Sequence, residues 1–428
     1  MKTVRFYTLG CKVNAYETEA MRSLFEKRGY TLTEADTADV YVINTCTVTS
    51  MGGRKSRGMI SRARRSNPNA VIAVVGCYPQ VFPDEVRKMM DVDIILGTTD
   101  RAKIVDLVEE FCGSRIDAIR EKPDSFYENI TSDGQSRTRA IMKIQDGCEN
   151  FCSYCIIPYA RGPIRSRPIE DIKEEAEALS KSGFTEVVLV GIHLSSYGRD
   201  IGLSLTDAIS EVCKTEGIKR VRLGSLEPGI LTDKFLREIS SFDKLCPSFH
   251  ISMQSGCDET LKRMNRKYTS DEYLNAVGRL KETFEGCAVT TDVMVGFPQE
   301  SDEEFEKSCE TVRKAGFAGI HVFKYSKRKG TVAAKMEGQI DPAVKAKRSQ
   351  IMIDIGESLK KQYCNALIGK TEEVLFEDKS GECFEGLTKT HIKVRCKGDD
   401  LYGKYKSSII TEYKDGCLYG EIGGADAD

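Results

Sequence analysis

Residues 140–155 read AIMKIQDGCENFCSYC. The run AIMKIQ has the pattern of a strand, and Gly147 ends it just before Cys148, Cys152 and Cys155. Three thiols on one short loop, with three and then two residues between them, can hold three irons of a cubane iron-sulfur cluster and leave the fourth iron open. Zinc is the competing reading, but structural zinc wants four ligands, and no matching fourth Cys or His lies nearby.

Downstream, strand-like runs continue through VVLVG, RVRLGS, FHISMQ, AVTTDVMVG and GIHVFKY, mostly alternating with helical stretches such as IEDIKEEAEALSKSG. Six strand-helix units without a clear seventh predict an open, partial (βα)6 TIM-like barrel over residues 139–340, with the CxxxCxxC loop after its first strand. A connecting helix is predicted over 341–366. Short, turn-separated runs EEVLFED, THIKVRC, SSIITEY and CLYGEI then predict a small all-β module over 367–428, ending in a disordered GGADAD tail. Upstream, a polar linker is expected over 121–138. Residues 1–120 alternate apolar runs with amphipathic segments and predict an α/β domain built on a doubly wound parallel sheet.

Cys11, Cys46 and Cys77 each follow a predicted strand of that first sheet, in TLGCKVN, VINTC and VVGCY. Carboxyl ends of parallel strands lie along one edge, where open α/β sheets bind ligands, so three thiols far apart in sequence can converge there. A lone buried cysteine is ordinary packing, but three at one topological position are harder to attribute to it. Gly10 and Gly76 suit close backbone approach to a bulky cluster.

The 428 residues suit two or three domains. Lys plus Arg total 63 against 65 Asp plus Glu, so any attraction to a polyanion must be local. The N-terminus lacks a signal-peptide pattern and no apolar run is long enough to span a bilayer, which predicts a cytoplasmic protein without membrane contact. In that reducing setting 16 cysteines point to metal rather than disulfides, and only four histidines argue against a His-built hydrolase.

The CxxxCxxC loop with Tyr154 before its last cysteine resembles the radical S-adenosylmethionine superfamily. Together with the first-domain cysteines, KIQDGCENFCSYCIIPYARGPIRSRP, SLEP, MQSG and DVMVGFPQE, it resembles the methylthiotransferase family within that superfamily, over nearly the whole chain. The segments TLGCKVNAYETEAM and INTCTVTS look most like the branch acting on N6-threonylcarbamoyladenosine beside the tRNA anticodon, the MtaB type. MGGRKS, GCYPQ and KYSKRKGT depart from the usual family pattern and blur the branch rather than the chemistry. The resemblance implies two 4Fe-4S clusters, the auxiliary one on Cys11, Cys46 and Cys77 and the radical one on Cys148, Cys152 and Cys155, with S-adenosyl-L-methionine as cosubstrate. One S-adenosylmethionine would methylate a sulfide on the auxiliary cluster, and a second would be cleaved reductively at the other. A radical route suits a ring carbon whose hydrogen is too weakly acidic for a side-chain base. An electron donor and a sulfur donor are implied as partners, the terminal module resembles the RNA-binding TRAM domain, and a monomer is expected.

Cofactor contacts are expected at strand ends, from Gly191, Ser225, Glu227, Gln254 and the Val295–Gly296 backbone, while Asp292 inside a strand could be a structural acceptor. RNA contacts are expected from Arg54, Lys55, Arg57, Arg62, Arg64 and Arg65 on one helix, and from Arg161, Arg165 and Arg167 after the cluster loop. The terminal module adds Lys389, Lys393, Arg395, Lys404 and Lys406, with Tyr402 and Tyr405 for stacking. The alternatives are methylthiolation of isopentenyladenosine in tRNA or of a ribosomal protein, and a non-enzymatic iron-sulfur RNA-binding or sensor protein.

Overall fold

The computed structural model describes residues 2–47, 50–120, 128, 130–131 and 138–423, with the side chains of residues 50 and 51 left aside. Most of the expected 121–138 linker, and the expected tail beyond residue 423, lie outside the described residues.

The first sheet contains Thr3–Thr8 (β1), Thr31–Leu32 (β2), Val40–Thr45 (β3), Val71–Gly76 (β4), Ile94–Ile95 (β5) and Ile116–Asp117 (β6). Its order is β2-β1-β3-β4-β5-β6, and every pairing is parallel. All six residues of β3 are buried, as a strand covered on both faces requires. Side-chain alternation divides the core: Val4, Phe6, Val42 and Val75 meet Met21, Phe25 and Ile104, while Tyr41, Ile43, Ile72 and Val74 meet Ile60 and Ala63. The two-residue strands β2 and β6 are too short to leave a readable pattern in sequence.

The central region adds Ala140–Asp146 (β7), Arg165–Ser166 (β8), Glu186–Gly191 (β9), Arg220–Leu223 (β10), Ser225–Leu226 (β11), Ser248–Ile251 (β12), Ala288–Val295 (β13) and Gly319–Lys324 (β14). They form two four-stranded sheets, β10-β9-β7-β8 and β11-β12-β13-β14, parallel throughout except for the β7/β8 pair. The run expected as one strand, RVRLGS, divides at Gly224 between the two sheets, and a Val221–Leu245 bridge keeps β10 tied to the approach to β12. One apolar cluster runs beneath both sheets, from Met142 and Leu189 to Phe249, Val293 and the helix residues Ile172, Ile209, Leu280 and Val312.

A helix, Pro342–Asn365, starts where the Asp341 carboxylate accepts from Ala343 N at 2.7 Å, an N-cap. Beyond it, Thr371–Ser380 (β15), Cys383–Thr388 (β16), Lys393–Lys397 (β17), Tyr405–Lys414 (β18) and Cys417–Ile422 (β19) close a barrel in the order β15-β16-β17-β19-β18. The sequence reading missed β16, whose mid-strand Gly386 breaks the apolar alternation. A Cβ there would lie 2.4 Å from the Leu375 carbonyl oxygen, so glycine lets the strands approach.

Candidate active site

Cys11 occupies the N-cap position of the Lys12–Lys27 helix, Cys46 directly follows β3, and Cys77 directly follows β4. Side chains beneath these turns tie them together. Asn14 donates to the Leu9 carbonyl at 2.8 Å and the Thr45 carbonyl at 3.0 Å, while Asn44 donates to the Asn14 carbonyl at 3.0 Å and to Thr18 Oγ1 at 3.1 Å. A Cβ on Gly10, which holds φ +108°, would sit 2.9 Å from Cys46 Sγ. Only glycine permits that approach. Burial pushes Cys77 up to about 11, and the neighbouring Cys11 and Cys46 thiols push in the same direction.

The second set is local. Gly147, at φ +78°, leads into Cys148, whose N–H donates to the Gly162 carbonyl at 3.0 Å. Ile157 N donates to Cys155 Sγ at 3.4 Å, and Arg266 Nη1 donates to Cys152 Sγ at the same distance. Burial pushes Cys148 to about 11 and Cys155 to about 12, with Cys152 adding to both and Cys148 adding to Cys155. Both sets present three neighbouring thiols and no disulfide, and the second also has donors aimed at sulfur. That chemistry fits an anionic metal-thiolate group, whose binding would displace the protons these thiols otherwise keep.

Between the two sets lies a buried charge network. Glu17, 1% exposed, faces Lys143 Nζ at 2.9 Å and Arg101 Nη2 at 3.0 Å, and also pairs with Arg161. Arg161 donates to Asn14 Oδ1 at 2.8 Å and reaches Asp146 at 3.2 Å, which places one guanidinium between the first-domain thiols and the end of β7. Burial alone would raise Glu17, yet Arg101, Arg161 and Lys143 hold it at about 2.

Family models match the two regions separately: the Radical SAM superfamily over residues 142–312, and an uncharacterized protein family, UPF0004, over residues 3–97. The threonylcarbamoyladenosine tRNA methylthiotransferase MtaB of Bacillus subtilis is 42% identical over 94% of this chain and 92% of its own length. The chain belongs to the radical S-adenosylmethionine methylthiotransferase family. MtaB of Thermotoga maritima is 38% identical over 88% of this chain and 87% of its own. A tRNA-2-methylthio-N(6)-dimethylallyladenosine synthase of Clostridium botulinum is 36% identical over 97% of this chain and 95% of its own. Among solved structures, the radical S-adenosylmethionine methyltransferase TsrM of Kitasatospora setae matches with a TM-score of 0.57 at 13% identity, over 78% of this chain and 77% of that one. That likeness is one of fold.

Within this family member, Gly191, Glu227, Gln254 and Val295–Gly296 lie at or just beyond the carboxyl ends of β9, β11, β12 and β13, while Ser225 opens β11. Glu227 accepts from Arg266 Nη2 and is fixed through its own N–H to Ser195 Oγ at 2.8 Å. Gly191 leaves room for Gln145, whose Oε1 would be 2.8 Å from a Cβ there, and Ser225 is exposed. Gln254 takes the left-handed backbone, φ +65°, with N–H and carbonyl clamped to Asp292 O and Met294 N, both at 2.8 Å. At the Val295–Gly296 turn two backbone groups are already used: Val295 O accepts from Tyr325 N at 2.9 Å, and Gly296 N donates to Glu300 at 2.7 Å.

Several expected RNA contacts need correction. Arg161, Arg165 and Arg167 are all buried, at 0%, 3% and 2% exposure, and pair with Glu17, Asp146 and Glu175. They lock the chain together and offer phosphate no surface. Arg64 is likewise committed to Asp93 at 2.7 Å and to the Pro68 and Ala70 carbonyls. Tyr405 is half-buried against Thr185 and lies under the Arg220 guanidinium, 4.6 Å from its centroid, so its ring is not free to stack a base. Arg54, Lys55, Arg57, Arg62 and Arg65 are exposed, as are Lys389, Lys393, Tyr402 and Lys404, whereas Arg395 and Lys406 are half-buried. Lys393 and Arg395 share Glu385, which reduces the net charge they present.

Sequence reasoning missed Arg266. It is nearly buried, stacks on Tyr268 at 5.0 Å, and couples Cys152 to Glu227. Its position in RMNRKYT, between two helices and away from any strand end, gave no signal.

Proposed function

We propose that this enzyme transfers a methylthio group to carbon 2 of N6-threonylcarbamoyladenosine next to the anticodon of tRNA. The observation that carries the reading is the 42% identity, over nearly the full length of both chains, to a relative named as a threonylcarbamoyladenosine tRNA methylthiotransferase. Residues 1–120 would form the methylthiotransferase domain, 139–340 a partial six-unit barrel of the radical enzymes, and 367–428 a TRAM-like RNA-binding domain joined by the helix of 341–366. Cys11, Cys46 and Cys77 would hold one 4Fe-4S cluster, and Cys148, Cys152 and Cys155 another. When bound, such clusters supply a reducing electron and open iron positions for S-adenosylmethionine and sulfur.

The chain's own groups would do the rest. Glu227, held by Arg266, and Gln254, held in its turn, would orient the cosubstrate above β11 and β12. The Glu17 network would fix the first-domain thiols relative to the CxxxCxxC loop. The exposed arginines of the Ser50–Ser66 helix and the lysines of the terminal barrel would take the RNA backbone. The protein would act as a cytoplasmic monomer and draw on separate electron and sulfur donors. Among the described residues, no helix is long and apolar enough to cross a membrane.

The test is anaerobic reaction of the reconstituted enzyme, S-adenosylmethionine, sulfide and a reductant with anticodon stem-loops bearing either threonylcarbamoyladenosine or dimethylallyladenosine. Mass spectrometry should find the added methylthio group on the first substrate. Product on the second substrate alone would transfer the enzyme to the other branch.

A further inference from the structure

Three ligating side chains gather on the inner face of the second central sheet. On β12, β13 and β14, Phe249, Ile251, Val289, Val293, Ile320 and Val322 pack into the apolar cluster beneath the helices, so by alternation His250, Asp292 and His321 stand on the opposite face. Register completes the grouping. Asp292 lies directly across from His321, and His250 lies across from Thr290, two residues before Asp292 on the same face of β13. His250 Nε2 is 3.4 Å from Asp292 Oδ2, and His321 Nδ1 is 3.3 Å from Asp292 Oδ1. One ligating atom from each of the three residues lies within 4.8 Å of the other two. The side chains of His250 and Asp292 are 17% and 26% exposed, whereas that of His321 is 67% exposed, so the group opens to solvent on one side.

The spacing suits a cation between these groups better than direct hydrogen bonds. An imidazolium donating to a carboxylate closes to about 2.7–2.9 Å. In contrast, about 3.4 Å is the edge of a tetrahedron whose centre lies about 2.1 Å from each corner, the length of a zinc bond to an imidazole nitrogen or carboxylate oxygen. His250 is also turned as a ligand would be, with Nδ1 3.0 Å from Thr290 Oγ1. When its proton sits on Nδ1 and is donated to that hydroxyl, the Nε2 lone pair faces the carboxylate, and two facing acceptors need a cation between them. The two rings stack with centroids 5.8 Å apart, so both imidazoles approach the one carboxylate together.

We propose that His250, Asp292 and His321 bind a divalent transition metal, with zinc the ion best suited, through two imidazole nitrogens and one carboxylate. This donor set favours ions of the zinc type over magnesium or calcium, which seek oxygen alone. Three protein ligands leave a tetrahedral ion one position for water or another oxygen ligand, and the exposure of His321 keeps that position accessible. Thr290 is a positioning residue that holds the His250 ring and its tautomer. The site shares no residue with either set of three thiols, and it does not depend on which RNA the enzyme modifies.

The test dialyses reconstituted holoenzyme against micromolar zinc and counts the zinc retained per chain, with iron measured in parallel. Wild type should hold about one zinc beside its iron, and zinc-edge X-ray absorption should show only nitrogen and oxygen neighbours at about 2.0–2.2 Å. His321→Gln and Asp292→Asn should each weaken zinc binding by roughly a hundredfold, and Thr290→Val, which keeps the branched shape and removes the hydroxyl, by roughly tenfold, the lower end for a lost outer partner. Iron content should be unchanged in all three. If Asp292→Asn fails to fold, the exposed His321→Gln and the wild-type spectrum decide. No zinc retained by wild type, sulfur neighbours at about 2.3 Å, or equal zinc in wild type and His321→Gln would each overturn the site. These readouts need no RNA, so their failure and the failure of the threonylcarbamoyladenosine assignment are separate results.

Discussion

The two cysteine sets reach similar ends by opposite routes. Cys148, Cys152 and Cys155 share one loop, so the turn at Gly147 and a few local hydrogen bonds suffice to bring them together. Cys11, Cys46 and Cys77 come from the ends of three strands, and their meeting depends on the β1/β3/β4 register and on Asn14, Asn44 and Thr45 beneath. A local site survives as long as its loop does, whereas a site assembled from distant segments is only as stable as the sheet and the interface that hold it. The contrast should be visible experimentally.

The largest effects are expected from the thiols. Replacing Cys148, Cys152 and Cys155 by Ala should abolish formation of deoxyadenosine. Replacing Cys11, Cys46 and Cys77 should abolish methylthio product while deoxyadenosine still forms, and product at the normal yield from the latter variant would end the division of roles.

Next comes Glu17→Ala, which leaves Arg101, Lys143 and Arg161 buried around a missing carboxylate. Removing one partner of such a network typically costs about 3–5 kcal/mol, so urea unfolding should shift to markedly lower denaturant. The first-domain site should suffer more than the local one, and equal loss of both would argue that the network is general packing. The same contrast has a pH signature. Glu17 is depressed from 4.5 to about 2, so its contribution is complete above about 4.5 and is lost as pH falls toward 2. Acid unfolding of wild type should therefore be steeper over that window than that of Glu17→Gln.

Arg266→Met sharpens the picture of the local site. Without its guanidinium, Glu227 loses its anchor, and S-adenosylmethionine should bind roughly tenfold more weakly, as expected for a lost charge-assisted hydrogen bond, in equilibrium dialysis. Unchanged affinity would remove Glu227 from the cosubstrate site. The smallest effects belong to the surface. Lys389→Ala and Tyr402→Ala should each weaken tRNA binding only a few-fold, and the lysine change alone should lower the salt dependence by about one counterion.

What could be read in the sequence follows the same divide. Strand-end cysteines and the CxxxCxxC loop were legible because period-two apolar runs mark where strands stop, and a thiol after a stop has a defined place on the sheet. Partners across the chain were not. Arg161 looked like one of a basic run because its sequence neighbours are basic, but its electrostatic neighbours, Glu17 and Asp146, come from another domain and from the end of β7. Arg266 escaped for the same reason, since its partners Cys152 and Glu227 come from other segments, and the contact of Asp292 with His250 and His321 escaped because only strand register brings those three together. β16 was lost because Gly386, needed for close strand approach, interrupts the pattern that would have announced it.

The most direct test of two separate three-thiol sites is the iron and acid-labile sulfide content of anaerobically reconstituted wild type and the two triple cysteine variants. Wild type should hold about eight irons, as expected for two four-iron cubanes, and each triple variant about four with a distinct electron paramagnetic resonance signal. Loss of all iron in both variants, or iron-free wild type containing zinc, would contradict the account.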